Sequence, residues 1–572
     1  MGTTKENSSN KVMESNNKSK VKREKILLMI LPFWSLLIPP LGISSLKSYL
    51  GENGYDVSTD DANTEMAFID ISHKYISTLM EILNTKRLGN FYNMAYEVLR
   101  VHSMAFQNYK ESDQYSKDDY KELVKILIKE NYFCEISNES IKKLDNILED
   151  FYKILTTYIT NLIEKKQPTV VGISTYSVTL PATLFAMKLI KKNYPHIKTI
   201  MGGGVFTDLL AIDSINFNRF IESTPYIDKL IVGEGEKILL KYLEGELPDN
   251  QKVYTVKDIS GEIIDLNETG TPDFSDLKME SYNHMGASTS RSCPFQCSFC
   301  SETIVWGKYR CKNAEQVVEE LKETYQKYKF QLFLFGDCLL NPTISKLSDE
   351  LIKNNHSFYF DGYLKAGKDI TIENARKWRK AGYYRARLGI ESGSVNVLEL
   401  MNKKLTPELI RSSIMNLANA GIKTTTYWVI GHPEETEEDF QQTLDLIEEL
   451  KDYIYEADCN MFYYSIGSQV ESDSWYQKYG VSLIYPEKFT DLLMSQMWQV
   501  NASPSREVAF DRVCRFVDHC EKLGLKNPYS FREIYFADKR WKELHKHAVP
   551  MITEFRGKEK TITENTEISF ND

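Results

Sequence analysis

Short apolar runs that end in glycine or polar turns alternate along this chain with longer stretches whose apolar positions recur at helical spacing. Strands placed in this way cannot pair through tight hairpins, because parallel neighbours need a crossover, usually a helix. In the front half, Ile26 to Pro32, Tyr55 to Ser58, Thr169 to Ser174 and Thr199 to Met201 read as strands. Pro39-Pro40-Leu41-Gly42 leads into a helix with Ile43, Leu46 and Leu50 on one face, and another helix runs from about Ala182 to Asn193. The expected fold class is α/β, beginning with a Rossmann-like doubly wound domain over 25–245. Ligands of such sheets bind outside the carboxyl ends of the strands, where Ser174, Gly202 to Gly204 and Gly233 to Glu236 fall.

The stretch from about 66 to 165 breaks the alternation with helical periodicity alone, as in Leu123, Ile126 and Leu127 followed by Ile141, Leu144 and Ile147, and reads as a helical insertion. Turn-forming residues such as Pro248-Asp249-Asn250 and Gly270-Thr271-Pro272 make 246–285 a linker. Six further β-α units occupy 286–465, with strands at Ala287 to Arg291, Gln331 to Phe335, Ser357 to Phe360, Arg385 to Gly389, Thr424 to Ile430 and about Cys459 to Tyr464. Six units predict a partial (β/α)6 barrel, whose chemistry belongs at the carboxyl ends of its strands. A C-terminal helical cap is expected over 466–554. Residues 1–24 and 555–572 read as a disordered leader and tail.

Charge limits the partners. A formal net charge of −10 without a clustered basic patch speaks against nucleic acid, since phosphate affinity rests on grouped Lys and Arg. Prolines 32, 39 and 40 interrupt the apolar run after Lys25, which is shorter than the ~18 residues of a membrane helix, so a cytoplasmic chain with no membrane segment is expected. Nine cysteines, an odd number, fit a disulfide framework poorly.

Three of them stand together in Ser292-Cys293-Pro294-Phe295-Gln296-Cys297-Ser298-Phe299-Cys300, directly after the first barrel strand. Thiolates select soft metals, and a four-iron cluster takes one cysteine per iron, so three thiols leave one iron open to a small molecule. A zinc site completed by His284 or Cys311 has compatible spacing, but a closed zinc knuckle has no reason to sit on a barrel rim.

Cys-x3-Cys-x2-Cys in this position resembles the radical S-adenosylmethionine superfamily. The resemblance implies a 4Fe–4S cluster on Cys293, Cys297 and Cys300, with S-adenosylmethionine chelating the open iron and being cleaved reductively. It also assigns the S-adenosylmethionine contacts: Phe299 flanking adenine, Asp337 accepting from the methionine ammonium, Glu391 with Ser392 near the ribose, and Gly431 in the turn beside adenine. Tyr363 and Lys365 stand where members place ribose-side or carboxylate contacts. No catalytic residue beyond these ligands is assigned.

The front domain resembles the cobalamin-binding domain of one branch of that superfamily, through Pro39-Pro40-Leu41-Gly42, Gly172-Ile173-Ser174, Gly202-Gly203-Gly204 and Gly233-Glu234-Gly235-Glu236. Ser174, Gly202, Gly203, Gly204, Gly233 and Glu234 are the implied cobalamin contacts. The Asp-x-His-x-x-Gly signature that gives cobalt a histidine is absent. The expectation is a cobalamin-dependent C-methyltransferase acting on a peptide or small natural product, with flavodoxin or ferredoxin as electron donor. Two alternatives stand beside it: a radical oxidoreductase, cyclase or rearrangement enzyme without methyl transfer, and a non-enzymatic corrinoid or metal-binding module.

Overall fold

The structure is a computed structural model and describes residues 24–84, 90–355, 358–525 and 531–545. The expected leader, Glu24 excepted, the expected tail and the last residues of the expected cap lie outside them.

Two all-parallel, six-stranded sheets organise the chain. The first holds β1 (Lys25–Ile30), β2 (Asp56–Asp61), β3 (Val170–Ser174), β4 (Lys198–Gly202), β5 (Lys229–Ile231) and β6 (Val253–Tyr254), in the order β2-β1-β3-β4-β5-β6. β1 is central because Ile26 to Ile30 are all buried, and a strand covered on both faces needs no polar alternation. The chain steps from β1 to β2 on one side and returns to β3 on the other, so the strand order reverses at β1 and β3 and opens a crevice above them.

The insertion between β2 and β3 is helical as expected, with helices Met66–Ile82, Asn90–Glu111, Lys117–Tyr132 and Asn138–Lys166. Ser116 and Asp119 form a reciprocal capping box, and Ser137 caps the last helix. That helix buries Ile141, Leu144, Leu148, Phe151, Leu155 and Ile159 along one stripe.

The segment 246–285 is not a plain linker. Val253 and Tyr254 pair with Leu230 and Ile231 as the last strand of the first sheet, a two-residue element too short to show periodicity. Further on, Phe274 is fully buried in the core of the second domain.

The second sheet contains β7 (Met285–Ala287); outside it, β8 (Ser290–Arg291) pairs antiparallel with β9 (Arg310–Cys311). β10 (Leu332–Phe335), β11 (Tyr359–Leu364), β12 (Tyr383–Glu391), β13 (Lys423–Ile430) and β14 (Glu456–Met461) then follow in unbroken order beside β7. Sequential parallel strands with outer helices make the expected partial barrel, open between β7 and β14. Two strands lie earlier than the sequence places them. The first ends at Ala287 because Thr289 and Ser290 leave the ladder to bond Asp337. The last begins at Glu456, whose buried carboxylate meets Arg385 (3.3 Å) inside the barrel, so charge hides that strand from an apolar reading.

The C-terminal region is more than a helical cap. β15 (Val481–Leu483) and β16 (Trp498–Val500) form an antiparallel ribbon. Helix Arg506–Lys522 adds Val513 and Phe516 to the barrel core, and helix Phe531–Leu544 is held by the buried Lys423–Asp538 pair. Tyr485, Phe489, Leu492 and Leu493 instead join the core of the helical insertion. No described helix is long and apolar enough to cross a membrane.

Gly382 ends helix Ile372–Ala381 at φ 110°, and a Cβ there would stand 1.9 Å from the Phe358 carbonyl oxygen. Gly382→Ala should therefore lower stability by roughly 2 kcal/mol or more, read by thermal unfolding.

Candidate functional site

The three cysteines hang from a loop whose neck is the β8–β9 ladder. At its entrance the buried Asp337 carboxylate accepts from the Thr289 N–H at 2.9 Å with each oxygen, from the Thr289 hydroxyl at 2.7 Å and from the Ser290 hydroxyl at 2.6 Å. Further along, Ser298 N–H donates to the Met401 carbonyl (3.0 Å) and Asn402 Nδ2 to the Gln296 carbonyl (2.7 Å), so the loop is tied to the chain beyond β12.

All three thiols are half-buried. Backbone N–H groups of Phe295 and Glu302 point at the sulfurs of Cys293 and Cys300. Burial pushes the Cys300 thiol up to about 11, helped by Glu302 and the two neighbouring cysteines, while the Glu302 N–H opposes the shift. Among the described residues no three His, Cys, Asp or Glu side chains gather round a single ion. His284 lies at the opposite end of β7, bonded through Nε2 to the Tyr384 hydroxyl (3.1 Å), and is no fourth ligand for a zinc ion.

Two buried cations face this loop. Lys365 Nζ has no hydrogen-bond partner and stands 3.6 Å from the centre of the Phe295 ring; Lys403 Nζ bonds Glu391 Oε1 at 2.6 Å and lies 5.6 Å from the centre of the Phe299 ring. Burial lowers the Lys365 pKa, with Cys297 acting in the opposite direction. An orphaned buried ammonium beside three thiols fits a site that takes up negative charge, as a thiolate-ligated cluster and a carboxylate-bearing ligand would supply. Burial of this kind without an anion is costly, and the donor set therefore fits a cluster better than an empty loop.

The other expected contacts fall around the same rim, with altered duties. Glu391 has φ 69° at a bulge in the β12–β13 pairing, and its carboxylate is shared with Lys403. Gly389 leaves room for that pair, since a Cβ there would lie 2.6 Å from Glu391 Oε1. The Ser392 hydroxyl accepts the Ser394 N–H (3.1 Å) and meets Thr443 Oγ1 (3.2 Å), so it braces the turn. Gly431 has φ 81°, and its N–H donates to Glu435 Oε2 (2.8 Å), which Arg512 also holds at 2.8 Å. Asp337, expected to meet an ammonium, accepts hydrogen bonds from Thr289 and Ser290 at the loop entrance.

The six expected cobalamin contacts, Ser174, Gly202, Gly203, Gly204, Gly233 and Glu234, all line one cleft above the first sheet. Arg291, Val305 and Trp306 of the cluster loop close its other side. Gly203 has φ 107° and would set a Cβ 2.5 Å from Thr175 backbone atoms; one at Gly204 would meet the Tyr176 ring at 2.9 Å. Glu234 is the exception among the six, because its carboxylate is taken by Arg291 (2.8 Å) and Arg310. Sequence reasoning missed Lys403, Arg291 and Arg310, and it missed the ion pair that Glu236 makes. Arg291 adjoins the cysteine motif, but nothing in the linear order joins it to a glutamate 57 residues earlier.

Residues 287–447 match the family model of the Radical SAM superfamily. The barrel is a radical SAM domain. The cofactors of such a domain are a 4Fe–4S cluster and S-adenosylmethionine. A relative from Rubrivivax gelatinosus, an anaerobic magnesium-protoporphyrin IX monomethyl ester cyclase, is 26% identical over 48% of this chain and 53% of its own. The chain spans about half the length of the cyclases it matches. Among solved structures, the radical S-adenosylmethionine methyltransferase TsrM from Kitasatospora setae, with cobalamin and a [4Fe-4S] cluster bound, aligns over 93% of this chain and 99% of its own with a TM-score of 0.55 at 12% identity. The cobalamin-dependent S-adenosylmethionine radical enzyme OxsB aligns over 93% and 70% with a TM-score of 0.50 at 15% identity. At these identities the likeness concerns the fold: a radical SAM domain preceded by a doubly wound sheet.

His432, next to the Gly431 turn of the radical SAM domain, is fully buried between Phe462 and Trp475, and burial lowers its pKa from 6.5 to about 4. Its unfolded form takes up a proton first, so the stability it contributes is present above about 6.5 and is lost as pH falls towards 4. The unfolding free energy should drop across that window by an amount on the order of 3 kcal/mol, and His432→Phe should flatten the slope.

Proposed function

We propose that this radical SAM protein holds a cobalamin in the front cleft and transfers a methyl group to carbon, on a peptide or a small natural product. The observation that carries the reading is the cleft itself, where glycine backbone of the first sheet faces Arg291, Val305 and Trp306 of the cysteine loop. At Gly233 a Cβ would stand in open space, so the backbone there is left bare to a broad ligand, whereas Gly202 and Gly203 let the strand-end turns pack closely on Ile231 and Thr175. Leu28, Ile43 and Ile231 add an apolar wall. Among the described residues of that lining there is no histidine, so a corrin held here takes no imidazole from it.

The bound groups supply reductive cleavage of S-adenosylmethionine to a carbon-centred radical and a methyl group for transfer. The chain's own part is binding and orientation. Cys293, Cys297 and Cys300 would hold the cluster, with Lys365 placed for the carboxylate of the bound nucleoside and Phe299 packed beside Lys403. Gly431 lets its turn pack directly on Ala509, which any side chain there would strike. Electrons would come from a flavodoxin- or ferredoxin-like donor.

A radical ring closure or oxidation without methyl transfer is the second reading, favoured by the similarity to the magnesium-protoporphyrin ester cyclase. The two separate on anaerobically reconstituted protein given hydroxocobalamin. Methyl transfer requires a bound corrin spectrum and substrate gaining a labelled methyl from S-adenosylmethionine. Deuterium passing from labelled substrate into 5′-deoxyadenosine with no methyl transferred and no corrin retained would sink the methyltransferase reading. Cys293→Ala should lose reductive cleavage by about two orders of magnitude or more; equal turnover in both proteins would leave only a carrier module.

A further inference from the structure

We propose that Arg291 and Arg310 are positioning residues which lock the neck of the cysteine loop to the front domain through Glu234 and Glu236. The cleft and the three thiols then move as one body. What this does for the occupant of the cleft rests on the corrinoid reading above, whereas the lock itself does not.

Arg291 and Arg310 are direct partners in the β8–β9 ladder, so two guanidinium groups stand side by side where the loop begins and ends. Like charges opposite one another in a ladder repel, and the pair needs an anion to be stable. The front domain supplies two. Glu234 receives Arg291 Nη1 at 2.8 Å and also Arg310, while Glu236 receives Arg291 Nη2. Charge balances, two against two. The glutamate side chains are 8% and 7% exposed and the arginines 23% and 19%, so the cluster is largely removed from water, unlike surface pairs that contribute little. Arg310 Nη1 further donates to the Ile264 carbonyl (3.1 Å), fastening the connecting segment to the same point.

Ser292 to Tyr309, with all three sulfurs, lies between the two strands of this neck, and the loop's other ties run from Gln296 and Ser298 to the chain beyond β12. Glu236 sits in the first turn of helix Gly235–Leu243, where a carboxylate is favoured by the helix dipole, so the anchor is itself fixed. Glu234, Glu236, Arg291 and Trp306 also line the cleft, and the Arg291 guanidinium lies 6.0 Å from the centre of the Trp306 ring. A ligand filling the cleft therefore touches the groups that hold the loop.

The test uses the full chain with its cluster reconstituted anaerobically, and reads the rate at which a ferrous chelator strips iron, with and without hydroxocobalamin. Arg310→Met should lose iron about fivefold faster than wild type, and Arg310→Lys should recover most of the difference. Because Arg310→Met leaves a buried carboxylate short of a partner, Glu234→Gln/Arg310→Met is made alongside it to keep charge balanced. Iron loss at the wild-type rate in a folded Arg310→Met or in that double variant overturns the proposal. Hydroxocobalamin should slow iron loss about threefold in wild type and leave Arg310→Met unprotected although it still binds. Wild type that binds no corrin defeats the corrinoid reading while the corrin-free rates still decide the lock.

Discussion

One carboxylate sets the frame for the whole catalytic face. Asp337 stands at the end of β10, inside the barrel rim, where an unpaired anion would be costly, and its burial is offset by hydrogen bonds from Thr289 and Ser290. Those bonds turn the chain out of β7 and into the β8–β9 neck, so the cysteines leave the barrel at a defined place and angle. The residue expected to meet a ligand also holds the entrance of the cysteine loop. Burial raises its pKa, and the donated bonds work against that shift.

The same economy of charge recurs through the lower barrel. Arg387 meets Asp361 at 2.8 Å and the Tyr427 hydroxyl at 3.2 Å, and Arg385 meets Glu456, all on inward positions of neighbouring strands. Buried pairs of this kind add little net stability over an apolar filling, but removing one partner strands the other. They specify one register for β11 to β14. On the rim above, Tyr363 lies beside Tyr427 with ring centres 5.9 Å apart and Arg387 within 5.8 Å of its ring, so floor and rim are joined.

Much of this is legible in the sequence. The β-α alternation places both sheets, and glycine runs at strand ends mark the cleft, because both depend on local pattern. The cysteine spacing marks the cluster loop for the same reason. Partners distant in sequence stayed hidden: Lys403 carries no motif, and the ion pairs of Glu234 with Arg291 and Arg310 join residues 57 and 76 positions apart. Strand limits shifted where buried charge, as at Glu456, broke the apolar run. The C-terminal ribbon escaped because it packs against a domain from the other end of the chain.

That last feature bears on how the molecule is made. Asn108 of the insertion donates to the carbonyls of Asp491 and Leu492, more than 380 residues later, and Tyr485, Phe489 and Leu493 complete a core begun by helices near the amino terminus. On a ribosome the front domain is synthesised first, yet it is left with an uncovered apolar seam until almost the whole barrel has emerged. The closing segment must thus thread back over a finished barrel before the first-made domain is sealed. Chain growth and completion of the front domain's core run in opposite order.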